Sequence, residues 1–131
     1  MTDPAERAHL PQMDTAGTKH DILIGGVRDY TGLWEVAHFA KQDSPTASPD
    51  AVRRFALTVV AELVMDGCVE PGTLTGGGGF DVWEGTPSEW LDRITAEWPP
   101  GGATPNVGDV CWFKNTERGD ALGKRLIEGA K

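Results

Sequence analysis

The run Ser48-Pro49-Asp50-Ala51-Val52-Arg53-Arg54-Phe55-Ala56-Leu57-Thr58-Val59-Val60-Ala61-Glu62-Leu63-Val64-Met65-Asp66-Gly67 decides the fold. Ser48 carries an oxygen that can cap free amides. Pro49 suits the first helical position, where its missing N–H would have had no intrahelical partner. Val52, Phe55, Ala56, Val59, Val60, Leu63 and Val64 then recur at helical spacing, a stripe wide enough to pack on two neighbours. Gly67 supplies a left-handed ending. The spacing predicts a long helix at the centre of a core.

Upstream, residues 1–20 hold Asp3, Pro4, Pro11, Asp14 and Gly17 with little apolar periodicity, which reads as a flexible N-terminal tail. Ile22-Leu23-Ile24 before Gly25-Gly26 reads as a strand or a segment clipped onto the core. A helix is expected from Asp29, with Tyr30, Leu33, Trp34 and Ala37 on one face, weakened by Gly32 and stopped at Ser44-Pro45. Residues 21–131 are then one globular domain, within reach of a chain of 131 residues.

Downstream, Cys68-Val69-Glu70-Pro71-Gly72 reads as a turn, and Gly76-Gly77-Gly78-Gly79 as loop, because four glycines lose too much entropy in a regular element. Phe80-Asp81-Val82-Trp83 alternates as a short strand. Thr86-Pro87-Ser88-Glu89 spells a capping box, opening a helix with Trp90, Leu91, Ile94 and Trp98 on one face. A Pro/Gly loop leads to the β-rich run Val107–Phe113, and Thr116 caps a last helix through Leu122, Leu126 and Ile127. The fold class expected is α+β and mostly helical.

Two resemblances follow. Leu63 to Val69, then Trp112-Phe113-Lys114-Asn115-Thr116-Glu117-Arg118-Gly119-Asp120-Ala121-Leu122, resembles the run around the wing of winged-helix domains. An extra helix is inserted before the last strand, where a usual wing is a two-stranded turn. The arrangement Leu33-Trp34-Glu35, Glu62-Leu63 with Gly67, Phe80 with Trp83, Thr86-Pro87 with Glu89, Ile94 and Trp98-Pro99, and Trp112-Phe113 is similar to a family of small acidic bacterial proteins, some of them immunity proteins for toxins. That second resemblance implies a partner-binding, non-catalytic role.

Charge narrows the partner. Between Phe55 and Phe113 stand nine carboxylates (Glu62, Asp66, Glu70, Asp81, Glu84, Glu89, Asp92, Glu97, Asp109) and one cation, Arg93, which together match the formal net charge of −8 of the whole chain. Such a block repels nucleic acid and anionic lipid and steers cationic partners. Trp83 beside it reads as an aromatic anchor, ringed by Glu84, Glu89, Asp92 and Glu97; Glu89 also has a capping role.

Other chemistry finds no signature. The four glycines are followed by Phe80, Asp81 and Glu84 rather than Gly-Lys-Ser/Thr, so no phosphate cradle is expected. His9, His20, His38, Cys68 and Cys111 lack ligand spacing, and no metal or cofactor is expected. No nucleophile motif is present, and Asp81/Glu84 or Glu89/Asp92 read as a solvated face before an acid–base pair. Cys68 and Cys111 read as reduced thiols, with a disulfide left open. The apolar runs are too short to span a bilayer, and the first residues show no signal-peptide core, so the expected location is cytoplasmic.

The sequence thus leads to a protein-binding module, an immunity or inhibitor protein, whose acidic face occludes a basic protein partner such as a toxin or nuclease. The alternative is a winged-helix DNA-binding regulator using Arg53, Arg54, Lys114, Arg118, Lys124 and Arg125. A third reading is an enzyme with a carboxylate site at the glycine loop.

Overall fold

The computed structural model describes residues 14–101 and 103–129. Within them the chain is α+β: helix α1 (Ala16–Gly26), strand β1 (Thr31–Gly32), α2 (Leu33–Asp43), α3 (Pro49–Met65), β2 (Val69–Leu74), β3 (Phe80–Val82), α4 (Pro87–Glu97), β4 (Trp112–Asn115) and α5 (Glu117–Gly129). The four strands form one antiparallel sheet in the order β1-β4-β2-β3.

Helix α3 is the hub. Ser48 Oγ accepts from the Ala51 amide at 3.1 Å, and Gly67 turns the chain at φ 73°. Val52, Phe55, Ala56, Val59, Val60, Leu63 and Val64 are all buried, as the spacing requires. Arg53 is buried as well. Helix α2 packs against α3 through Val36, Ala37 and Ala40 in the shared core.

The N-terminal reading is corrected in part. Residues 16–20, expected as tail, open α1, and Ile22-Leu23-Ile24 lies within that helix rather than on a strand. The expectation for residues 1–13 lies outside the described residues. Ile22 and Leu23 are buried because α1 seats on α5, which approaches closely. A methyl group on Gly119 would strike the Cys68 carbonyl oxygen, and one on Gly123 would crowd the Leu23 carbonyl and Val27. Thr116 both donates to the Gly67 carbonyl (2.6 Å) and accepts from the Gly119 amide (3.2 Å), locking the start of α5 against the end of α3.

Helix α2 begins at Leu33 rather than Asp29. Gly32 is extended and paired with Trp112, and Asp29 accepts from the Tyr30 amide instead. Glu35 reaches back to the Gly32 N–H at 3.1 Å.

Cys68–Gly72, read as a turn, instead leads into a strand, Val69–Leu74, between β4 and β3 despite Pro71. Pro71 lies opposite Trp83, just past the end of β3, so its absent N–H removes one bond at the ladder's end. Its carbonyl still accepts from the Trp83 amide at 3.0 Å. The Trp83 carbonyl, which a proline amide cannot reach, accepts from Trp90 Nε1 at 3.1 Å.

The expected strand from Val107 starts only at Trp112. Val107 is exposed, and Asn106 and Asp109 bond each other across a turn. Val110 has φ 67°, with the Cys111 amide bonding back to the Asp109 carbonyl, a γ-turn geometry that ends any extended run before Cys111.

Candidate partner-binding surface

The chain between β2 and β4 leaves the sheet at a glycine tip, where Gly76–Gly78, expected as loop, makes one 3-10 turn broken by Gly77 at φ 78°, then returns as β3 and makes α4. Helix α4 meets the core along one face, where half-buried Trp90 and Leu91 pack beside Ile94. Ile94 is the one buried residue of α4, with Trp98 just beyond its end. Arg53 Nη1 donates to the Trp98 carbonyl at 3.3 Å, while its Nε donates to Asp50 at 3.1 Å. The capping box is complete: Thr86 Oγ1 accepts from the Glu89 amide (3.2 Å), and Glu89 accepts from the Thr86 amide (3.0 Å).

The five residues singled out by sequence divide sharply. Trp83, expected as a rim anchor, alternates to the core side of the sheet and is 9% exposed. The Arg93 guanidinium lies 3.7 Å from its ring centroid, a cation–π contact that covers it further. Its indole N–H is buried with no partner among the described residues. The anchor role is therefore closed to Trp83 in this arrangement. Glu97 pairs with Arg93 at 2.8 Å, and Glu89 is occupied by the cap. Glu84 and Asp92 are exposed, and neither carboxylate is hydrogen-bonded or ion-paired among the described residues. Asp81, on the edge strand, is exposed in the same condition.

The nine carboxylates do not make one surface. Glu62 accepts from Thr15 Oγ1 at 2.6 Å and pairs with Lys19 at 3.0 Å, pinning α1 to α3. The Thr15 bond, helped by Lys19, holds its carboxyl below the usual glutamate range against a smaller effect of burial. It sits nine residues along α3 from Arg53, roughly 13 Å at the helical rise. Asp66 lines a different cleft, with Lys19, His20 and Arg125. Asp109 is spent on the Asn106 amide. Five others lie in the 75–111 segment: Glu89 caps α4, Glu97 pairs with Arg93, and Asp81, Glu84 and Asp92 are unengaged.

The aromatic group missed by sequence lies on the outer face of the sheet. Gly32, Trp112, Gly72 and Val82 form one cross-strand row. The two glycines leave hollows that rings fill: Trp34 and Trp112 lie over Gly32, and the Phe80 ring covers Gly72. Tyr30 stacks on Phe80 with centroids 4.8 Å apart and donates to the Gly78 carbonyl at 3.3 Å. Val82 and Leu74 are 39% and 38% exposed on this face. Register could have found it: once Pro71 is admitted to a strand, alternation sends Trp83 inward and Phe80 and Val82 outward.

Cys68 and Cys111 are free and buried, and burial, reinforced by the Glu97 charge and opposed by Arg93, pushes the Cys111 thiol far up. Among the described residues no group of His, Cys, Asp and Glu could hold a metal ion, and no helix is long and apolar enough to cross a membrane. Of the basic residues proposed for DNA, Arg53 is buried and Arg54 pairs with Asp50 at 2.7 Å, whereas Lys114, Arg118, Lys124 and Arg125 are exposed. Comparison of the chain with family models, curated proteins and solved structures finds no match.

Proposed function

We propose that the protein is a non-catalytic binding module that occludes a basic protein partner with the acidic segment between β2 and β4. One observation carries this reading. That segment presents six carboxylates to solvent, and its one cation, Arg93, is already engaged by Glu97 and Trp83. A partner approaching it meets unbalanced negative charge, which raises encounter rate and orients the complex. Glu84 and Asp92 supply the free charge, Glu97 and Glu89 contribute field while holding the helix, and exposed Val82 takes the anchoring place expected of Trp83. An immunity or inhibitor protein of the cytoplasm, covering the basic surface of a toxin or nuclease, is the role this chemistry fits.

The test is charge reversal on a partner captured at low salt, the product of a neighbouring reading frame being the first to try. Glu84→Lys with Asp92→Lys should abolish the complex and leave the helical circular-dichroism spectrum unchanged, since neither carboxylate is bonded within the described structure. Undiminished binding by this pair sinks the proposal.

A second reading, a winged-helix DNA-binding regulator, is supported by the helix–strand–helix–helix–strand order and by β4 lying between β1 and β2. Of the cations it invokes, Lys114, Arg118, Lys124 and Arg125 are the ones unengaged among the described residues, and the inserted acids occupy the position of a wing. Duplex binding that weakens steeply with salt would favour it.

A further inference from the structure

Strand β3 is an edge of the sheet, and its hydrogen-bonding parity is set by its neighbours. The Trp83 amide bonds the Pro71 carbonyl, and the Thr75 amide bonds the Gly79 carbonyl. In an antiparallel pair these are the narrow positions, so odd-numbered residues of β3 face β2 and even-numbered ones face away. The main-chain N–H and C=O of Phe80 and Val82 therefore point outward, and among the described residues nothing bonds them. Side chains near it match: Val82 is exposed on one face, Asp81 stands unpaired on the other, and unpaired Glu84 lies two residues beyond the strand.

Natural edges are usually blunted by lysine, proline or a covering element. This one carries carboxylates instead, which leave it open to a cationic strand while repelling the same edge of another copy.

Resting on the acidic-surface reading above, we propose that β3 is a strand-addition site for an extended basic segment of the partner. The added strand pairs with the main chain of Phe80 and Val82, its lysines or arginines taking the Asp81 side and its apolar residues the side of exposed Val82. Main-chain bonds then supply affinity, and the alternating charge supplies selectivity.

The probe is an octapeptide of alternating lysine and valine, compared with tetralysine, against the full chain at low salt. Amide exchange is the readout. The octapeptide should protect Phe80 and Val82 and leave Asp81, already facing β2, unchanged; tetralysine should protect neither. Val82→Pro removes one outward donor without touching the β2–β3 ladder, and it should weaken the octapeptide about tenfold while sparing tetralysine. If that variant unfolds, the exchange pattern of the wild-type chain decides alone. Octapeptide shifts confined to α4, or equal protection of Asp81, would overturn strand addition and leave the acidic-surface reading standing. No interaction with either peptide would overturn both.

Discussion

Helices α3 and α4 begin alike, each with a hydroxyl cap and a proline at its first position, yet they are held in opposite ways. Helix α3 buries eight residues and touches the core along its length. Helix α4 buries Ile94 alone, and Trp98 beyond its end. Burial of an apolar side chain is worth about 1.5–3 kcal/mol. One helix is therefore integral to folding, whereas the other is held along one face by Ile94 and Trp98, by half-buried Trp90 and Leu91, and by a cap and an arginine. The difference teaches why the acidic face is available: a helix that spends few residues on the core keeps most of its surface for something else.

Truncating each anchor should separate the two regimes most strongly. Leu63→Ala on α3 and Ile94→Ala on α4 each empty a site that is at most 3% exposed, costing about 2–5 kcal/mol. The first should speed amide exchange across the whole domain. The second should speed it in residues 87–98 first, and equal global effects would erase the difference between the two helices.

Arg53→Met tests the link between the regions. It keeps the buried stem but leaves the Trp98 carbonyl without its donor, for about 1–3 kcal/mol. Differential exchange should show the loss concentrated at the end of α4. Thr86→Ala should cost about 1 kcal/mol, visible in the denaturation midpoint, by removing one half of the capping box.

The smallest effect expected is electrostatic. Glu62 has a folded-state carboxyl below its ordinary value, so its stabilisation is present above that value and fades as pH falls through the lowered one. Its side chain is 41% exposed, and solvent screening keeps the contribution modest. Asp21 runs the other way: burial and then Asp43 raise its carboxyl, so it favours the fold only as pH falls. Acid titration of Glu62→Gln should show a flatter loss of stability below the glutamate range than the wild type. The change should be felt where α1 meets α3, not in α4.

Legibility followed locality. The ends of α3 and the capping box of α4 were readable because a cap acts within three or four residues. Helix α1 was not, since Ile22-Leu23-Ile24 has no helical period of its own and is ordered by α5 closing on it at Gly123. The strand through Pro71 was unreadable for a related reason: only the length of β3 shows that the missing amide falls at the ladder's end. The misplacement of Trp83 followed from the same reading, because alternation through β3 turns its ring to the core side and Phe80 and Val82 outward.

By itself the sequence determined the α+β composition, the central helix, the glycine tip, the capped acidic helix and the concentration of charge, all consequences of short-range sterics and counting. Tertiary structure alone decided which carboxylates stay unengaged, which side of the sheet each aromatic ring takes, and which edge is left open. Those depend on strand register and on contacts between residues distant in the chain, where a shift of one position exchanges the buried face for the exposed one.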